Sequence, residues 1–185
     1  MKSLLFPLLL LLSACFTLPK PGAAPEAFMP AVDPAPRARL ADELSLEVSA
    51  APAHLDHRVP QWRHRDGSIR AYQGFQFAAP PGETVSFVLA DAIERSGAAR
   101  VVRRDVFSDH HLNIELRAFE LQTSDSTAAA HVAWSLRWRC AASSHAERVD
   151  VSVPIEQRST AAVMAAMQYA FSEAVEKTLA ALRCD

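Results

Sequence analysis

Glycine is scarce, with five residues in a chain of 185. That leaves no glycine-rich loop to wrap backbone N–H groups around a phosphate, and no Gly-x-Ser-x-Gly elbow to present a nucleophilic serine. Positive charge is not in excess. Nineteen Lys and Arg stand against 21 Asp and Glu, for a formal net charge of −2. A nucleic-acid partner calls for a clustered basic surplus. Long apolar runs are also missing. The longest lies at the N-terminus and is closed by Pro19, Lys20 and Pro21, short of the ~20 residues a membrane-spanning helix needs. Histidine and acidic side chains cluster at His54, Asp56 and His57 and again at Asp109, His110 and His111. Neither group has the i, i+4 helical spacing that converges ligands on a zinc ion, so both read as polar loop residues. No two carboxylates are singled out by spacing, and no internal repeat is visible. Nothing in this pattern points to an enzyme.

What is present begins with a signal segment. Lys2 supplies a basic start and Leu4 to Leu12 an apolar stretch, followed by Ser13, Ala14 and Cys15. A charged, then apolar, then small-residue order is that of a secretory signal. The cysteine after the small residues resembles the lipobox of bacterial lipoproteins, in which Cys15 is lipidated and becomes the first mature residue. Residues 1–14 are then a signal peptide, and 171 residues remain, enough for one domain with its own core. After Lys2 is lost, 18 basic side chains face 21 acidic ones, a net charge of about −3. Phe16 follows the cysteine in place of an aspartate, which points to the periplasmic face of a Gram-negative outer membrane. The covalent lipid on Cys15 is the one attached group expected, with no metal and no cofactor.

Residues 15–41 carry Pro19, Pro21, Pro25, Pro30, Pro34 and Pro36 with little apolar periodicity, and they read as a tether. An ordered strip along the domain is the other reading for the stretch near Arg37 to Leu40. The domain is expected over 42–185. Leu44, Leu46 and Val48 alternate with Ser45, Glu47 and Ser49, the period-two pattern of a half-buried strand. Two further strands flank the turn signal Asp66-Gly67. Val85, Val88, Leu89, Ala92 and Ile93 recur at helical spacing, with Thr84 as a candidate cap and Gly97 as a stop. A short strand covers Arg100 to Arg103. The runs around Leu112–Leu116, Val132–Cys140 and Val149–Ile155 alternate strongly, and the apolar side switches near Phe119 and Leu121, which predicts either a bulge or burial on both sides. A closing helix over about 160–182 buries Val163, Met167, Ala170, Phe171, Ala174, Val175, Thr178 and Leu182. Strands in series with two segregated helices predict an α+β domain: a mainly antiparallel sheet with two principal helices packed on one face.

Cys140 and Cys184 lie in a compartment that permits disulfides. They either bridge or remain small buried thiols. Trp134 and Trp138 share the apolar side of one strand and are expected in the core beneath the closing helix rather than on a lipid-contact surface. Arg137 and Arg139 point the other way, with Arg103 and Arg104 on a neighbouring segment. They form either a solvated sheet face or a candidate docking surface for an acidic partner. Tyr72, Phe75 and Phe77 read either as part of such an interface or as hairpin packing.

The sequence resembles the ABC-type transport auxiliary lipoproteins, the PqiC-like family. The likeness is carried by Val48 to Asp56, by Tyr72 to Phe77 running into Ala79-Pro80-Pro81, by Val85 to Gly97, by Leu116 to Glu120 and by the Ala-rich closing helix. Phe77 stands where such sequences often have Trp, Gln61-Trp62-Arg63 replaces a Val/Ile-Tyr-Arg stretch, and His57 and Arg58 vary a polar position. The resemblance implies a non-catalytic partner of an ABC transporter that carries an MCE-domain protein, in a system moving lipids or other hydrophobic molecules across the periplasm. It also implies docking of the periplasm-spanning component and a homo-oligomeric ring. A different class of function, a periplasmic module that itself binds lipid or another hydrophobic ligand, fits the same domain.

Overall fold

The computed structural model describes residues 25–49, 51–104, 106, 108–124, 127–141 and 143–184. Cys15, Phe16 and the signal segment lie outside them. The elements are β1 (Glu26–Phe28), β2 (Ala41–Ser49), a 3₁₀ turn (Ala53–Leu55), β3 (Gln61–His64), β4 (Ile69–Ala71), β5 (Phe75–Phe77), α1 (Pro81–Ser96), β6 (Ala99–Arg104), β7 (His110–Thr123), β8 (Ala128–Cys140), β9 (Ser143–Pro154) and α2 (Thr160–Ala181).

Seven strands form one sheet. The long strands β7, β8 and β9 are antiparallel neighbours. At its other edge β7 is shared: its first half pairs parallel with β2, and its last residues pair parallel with β3. β2 also pairs parallel with β6, while β3 and β4 are antiparallel. The sheet is therefore mixed, not mainly antiparallel. Alternation in a sequence reports which face a residue takes, whereas strand direction is set by the connections. The path from β2 to β6 runs through α1, and a helical crossover of that kind joins parallel strands. β1 and β5 make a separate two-stranded parallel ribbon.

One apolar core lies between the sheet and the two helices. Leu44 and Leu46 of β2, Leu112, Ile114 and Leu116 of β7, and Trp134, Leu136 and Trp138 of β8 meet Val85, Leu89 and Ile93 of α1. Val163, Met167, Phe171, Ala174 and Val175 of α2 close it. The register of β7 against β8 shifts between Leu116 and Ala118. That bulge turns Phe119 inward, in edge contact with Phe77 and Phe171. α1 begins after Pro80 with Pro81 in its first turn and no side-chain cap. Thr84 is not the cap: it lies inside the helix and donates from Oγ1 to the Ala79 carbonyl. Gly97 ends α1 in the left-handed region at φ 81°, where a Cβ would be strained. Ser159 caps α2 by accepting from the Ala162 amide at 3.3 Å.

The proline-rich stretch differs from the expected tether over its second half. Residues 25–40 lie on the domain. Phe28 and Val32 are buried in the core cluster. The Ala31 and Ala35 amides donate to Gln168 and Glu176 of α2, Arg37 pairs with Glu176 at 3.0 Å, and Arg95 of α1 donates to the Val32 carbonyl. Two buried apolar side chains and anchors to both helices offset the ordering entropy that composition alone predicted would win.

Candidate docking face

The face of the sheet turned away from the helices is polar, and its side chains form ladders across strands. Ser45, His111 and Arg139 follow one another across β2, β7 and β8. Glu47, Asn113 and Arg137 form the next row. A groove of about 390 Å³ runs over these rows, lined by Ser49, His111, Asn113, Arg137, Arg139 and Ser144 among others. Arg137 is exposed there, and Arg139 donates to the Ser108 carbonyl at 3.1 Å. His111 accepts or donates at Nδ1 to Ser45 Oγ at 2.7 Å and lies 3.6 Å from Glu47 through Nε2. A serine, a histidine and a carboxylate in line have the order of a hydrolase triad. Ser45 is only 1% exposed, however, so its hydroxyl is out of reach of a substrate carbonyl.

Farther along the same face lies a charged network that sequence reasoning missed. Glu120 is 1% exposed. Arg63 grips it in two places, Nε to Oε1 at 2.6 Å and Nη2 to Oε2 at 3.0 Å, a fork geometry that suits guanidinium and carboxylate. His54 Nε2 lies 2.9 Å from Arg63 Nη2 and 3.7 Å from Glu120. The Glu120 hydrogen bond raises the Arg63 pKa above its already high ordinary value, against the opposing effect of burial. Gln122 Nε2 reaches both Glu120 and His131 Nδ1, and His131 Nε2 sits 2.9 Å from Asp150. Burial pushes the Asp150 carboxyl up, but hydrogen bonds and charge from His131 and Arg148 outweigh it and leave the group below its ordinary value. The network thus crosses β3, β7, β8 and β9. The signal available in sequence was a glutamate at Glu120 amid a run of buried positions.

The residues singled out from sequence come together only in part. Arg137 and Arg139 share the polar face, and Arg103 of β6, opposite Ser45, extends the Ser45–His111–Arg139 row and pairs with Glu43 at 2.8 Å. Arg104 takes the other face and lies over the Phe87 ring at 4.0 Å. Phe75 is 1% exposed and stacks edge-on with Phe28, Tyr72 and Phe77. It is not surface available to a partner, and Tyr72 is half-buried with its hydroxyl on Thr160. The group packs where the β3–β4 hairpin meets the β1–β5 ribbon. Trp134 and Trp138 are fully buried, with indole donors on Thr178 Oγ1 and the Arg183 carbonyl. The first histidine cluster is split: His54 joins the Glu120 network. In the second, His111 faces the groove, while ligand atoms of His110, Cys140 and Cys184 lie within 4.8 Å of one another. Those two sulfurs are joined to each other in a disulfide, with Cα atoms 5.7 Å apart. The bridge ties the end of β8 to the chain that follows α2.

A mixed sheet with both helices on one face, and a ladder of polar side chains across the other, defines a two-layer α+β domain. Residues 27–178 match the model of one family, and the chain belongs to it: the ABC-type transport auxiliary lipoprotein components. No curated protein matches the sequence. Among solved structures, the fold is similar to that of protein XCC0632 from Xanthomonas campestris, at 23% identity and a TM-score of 0.74, over 83% of this chain and 91% of that one. A second crystal structure, of an uncharacterized protein, is similar at 11% identity and a TM-score of 0.64, over 85% and 97% of the two chains. Both likenesses concern the fold.

Proposed function

We propose that this chain is a non-catalytic auxiliary lipoprotein of an MCE-type ABC transport system that moves lipids or other hydrophobic molecules across the periplasm. In this reading acyl chains on Cys15 hold it on the inner leaflet of the outer membrane. Each buried CH₂ contributes about 0.8 kcal/mol, so two or more chains anchor firmly. The domain docks the periplasm-spanning MCE component, with self-assembly into a ring as part of the same reading. The observation that carries the proposal is family membership across 27–178. The polar face supplies a surface suited to docking, with Arg137 exposed beside the His111–Asn113 groove. An acidic segment of the partner is the chemistry that this arginine recognises.

The test is co-purification of the MCE component with the native lipoprotein and with an R137E/R139E variant, extracted gently from the envelope. Loss of the partner from the charge-reversed variant, with melting unchanged, is the expected result. Full retention of the partner removes this face from the proposal. An MCE component that never co-purifies with the native chain overturns the proposal itself. Native mass spectrometry of the same preparation reads the competing function, since one bound lipid per chain is the mark of a lipid-binding module.

A further inference from the structure

Another groove is apolar and lies on the opposite side from the arginine ladder. It has a volume of about 550 Å³ and is walled by Met29 and Val32 of the N-terminal strip and by Phe87, Val88, Asp91 and Arg95 of α1. Phe87 is 48% exposed and Met29 44%, two of the few large apolar side chains the described surface leaves in water. The charges at its rim are mostly matched. Arg95 pairs with Asp33 at 2.7 Å and lies 3.5 Å from Asp91, and Glu94 accepts from the Val102 amide. Arg104, stacked on the Phe87 ring, has no acidic partner among the described residues.

We infer that this groove is a membrane-seating face, with Met29 and Phe87 entering the headgroup boundary of the bilayer and Arg104 meeting anionic phosphate. The inference rests on the reading of Cys15 as the lipid anchor. Three observations select a bilayer over other occupants. The anchored end of the chain enters the domain at this groove: from Cys15 to Met29 is 14 residues, at most about 50 Å when fully extended. Arginine over an aromatic ring is an arrangement that keeps its charge at the headgroup level while its stem and the ring face acyl chains. A two-fold contact centred on the groove would bring Arg104 toward its own copy, whereas anionic headgroups offer the opposite charge.

Two full-length variants, M29C and F87C, test this, each carrying a polarity-sensitive fluorophore. With Cys15 acylated and Cys140 bridged to Cys184, the introduced thiol is the one labelled. An S152C label, exposed on the polar face of β9 opposite His131, is the control. The labelled chains are placed one per nanodisc of phosphatidylethanolamine and phosphatidylglycerol. The expected result is a blue-shifted emission at 29 and 87, with at least twofold quenching by spin-labelled lipid and neither effect at 152. R104E should weaken the quenching. Labels at 29 and 87 as wet as the control overturn the inference. So does a blue shift that requires several copies on one vesicle, which identifies a second copy as the occupant. A C15S chain held by an N-terminal hexahistidine on nickel-chelating lipid repeats the measurement without acylation. Wet labels in that arm refute the seating, whereas loss of the native chain from discs refutes the Cys15 anchor alone.

Discussion

Arg63→Met is the sharpest test of the network on the polar face. Glu120 is 1% exposed and is held by two bonds of 2.6 and 3.0 Å from a guanidinium whose side chain is 35% exposed. Opposite charges about 4 Å apart attract by about 4 kcal/mol at an effective dielectric constant of 20. Removing one partner of a buried pair costs about 3–5 kcal/mol, because the survivor keeps its desolvation penalty. Arg63 lies at the rim, so solvent screening reduces the expected loss for R63M to about 2–3 kcal/mol. In a domain of this size that lowers Tm by about 4–12 °C. The two partners are not equivalent. After Glu120→Gln, Arg63 can turn part of its charge to water, and the loss should be nearer 1 kcal/mol. After R63M, Glu120 has only Gln122 at 3.3 Å and His54 at 3.7 Å. Urea unfolding followed by circular dichroism on R63M, E120Q and the double variant gives a coupling energy of about 2 kcal/mol if this account holds. Coupling below about 0.5 kcal/mol, or E120Q costing more than R63M, would refute it.

The remaining predictions concern single contacts. Cys184→Ser should destabilise by about 2–4 kcal/mol, because the bridge closes a loop with a sequence separation of 44. The urea midpoint of the reduced native protein should match the variant, and a non-reduced peptide map should contain Cys140 joined to Cys184. Thr178→Val leaves the buried Trp134 indole without its 2.9 Å acceptor and should cost about 1–3 kcal/mol, while Thr178→Ser should cost far less. Asp150 has a folded pKa below its ordinary 3.8, so its stabilisation is present above that value and fades as pH falls through the lower folded one. At 45% exposure it is worth at most about 0.5 kcal/mol. Asp150→Asn should therefore lose a few tenths at neutral pH and match the native protein in acid.

Faces were legible in the sequence, and neighbours were not. The alternation in β2, β7, β8 and β9 identified the inward residues, and the switch at Phe119 anticipated the bulge that the structure places between Leu116 and Ala118. The buried stripe of α2, from Val163 to Thr178, followed from its helical period. The parallel pairing of β2 and β3 with one long β7 had no such signature, since a period of two is the same in both directions. The Glu120–Arg63 pair joins residues 57 apart in sequence. Neither partner has a local pattern that names the other. Polar residues on the open face show only that they avoid the core, so Arg137 and Arg139 could be assigned a side without being assigned a role. Phe75 and Tyr72 misled for the opposite reason. Short aromatic strands beside two prolines look like an edge, but Phe75 is covered by β1, three residues from a segment whose composition argued for disorder, and Tyr72 by Trp62 and Thr160.

That strip changes the mechanics of the proposed anchor. Counting 15–41 as tether gives a span from Cys15 to Asp42 of 27 residues, about 97 Å at full extension. The structure fixes the chain on the domain from Glu26 onward, through pairing with β5 and through Gln168, Glu176 and Arg95. Ten residues then separate Cys15 from Pro25, and whatever conformation they take they cannot exceed about 36 Å. On the proposed Cys15 anchor the domain would be held against the membrane rather than ranging across the periplasm, and the reach between the two membranes would come from the partner. The attachment also fixes orientation. The strip ties the anchored end to both helices, on the side of the sheet away from Arg137. When the helices face the bilayer, the arginine ladder faces the periplasm, where a spanning component would arrive. A long free tether would leave that orientation random. Loosening the strip should thus weaken partner capture even though no residue of the docking face has changed.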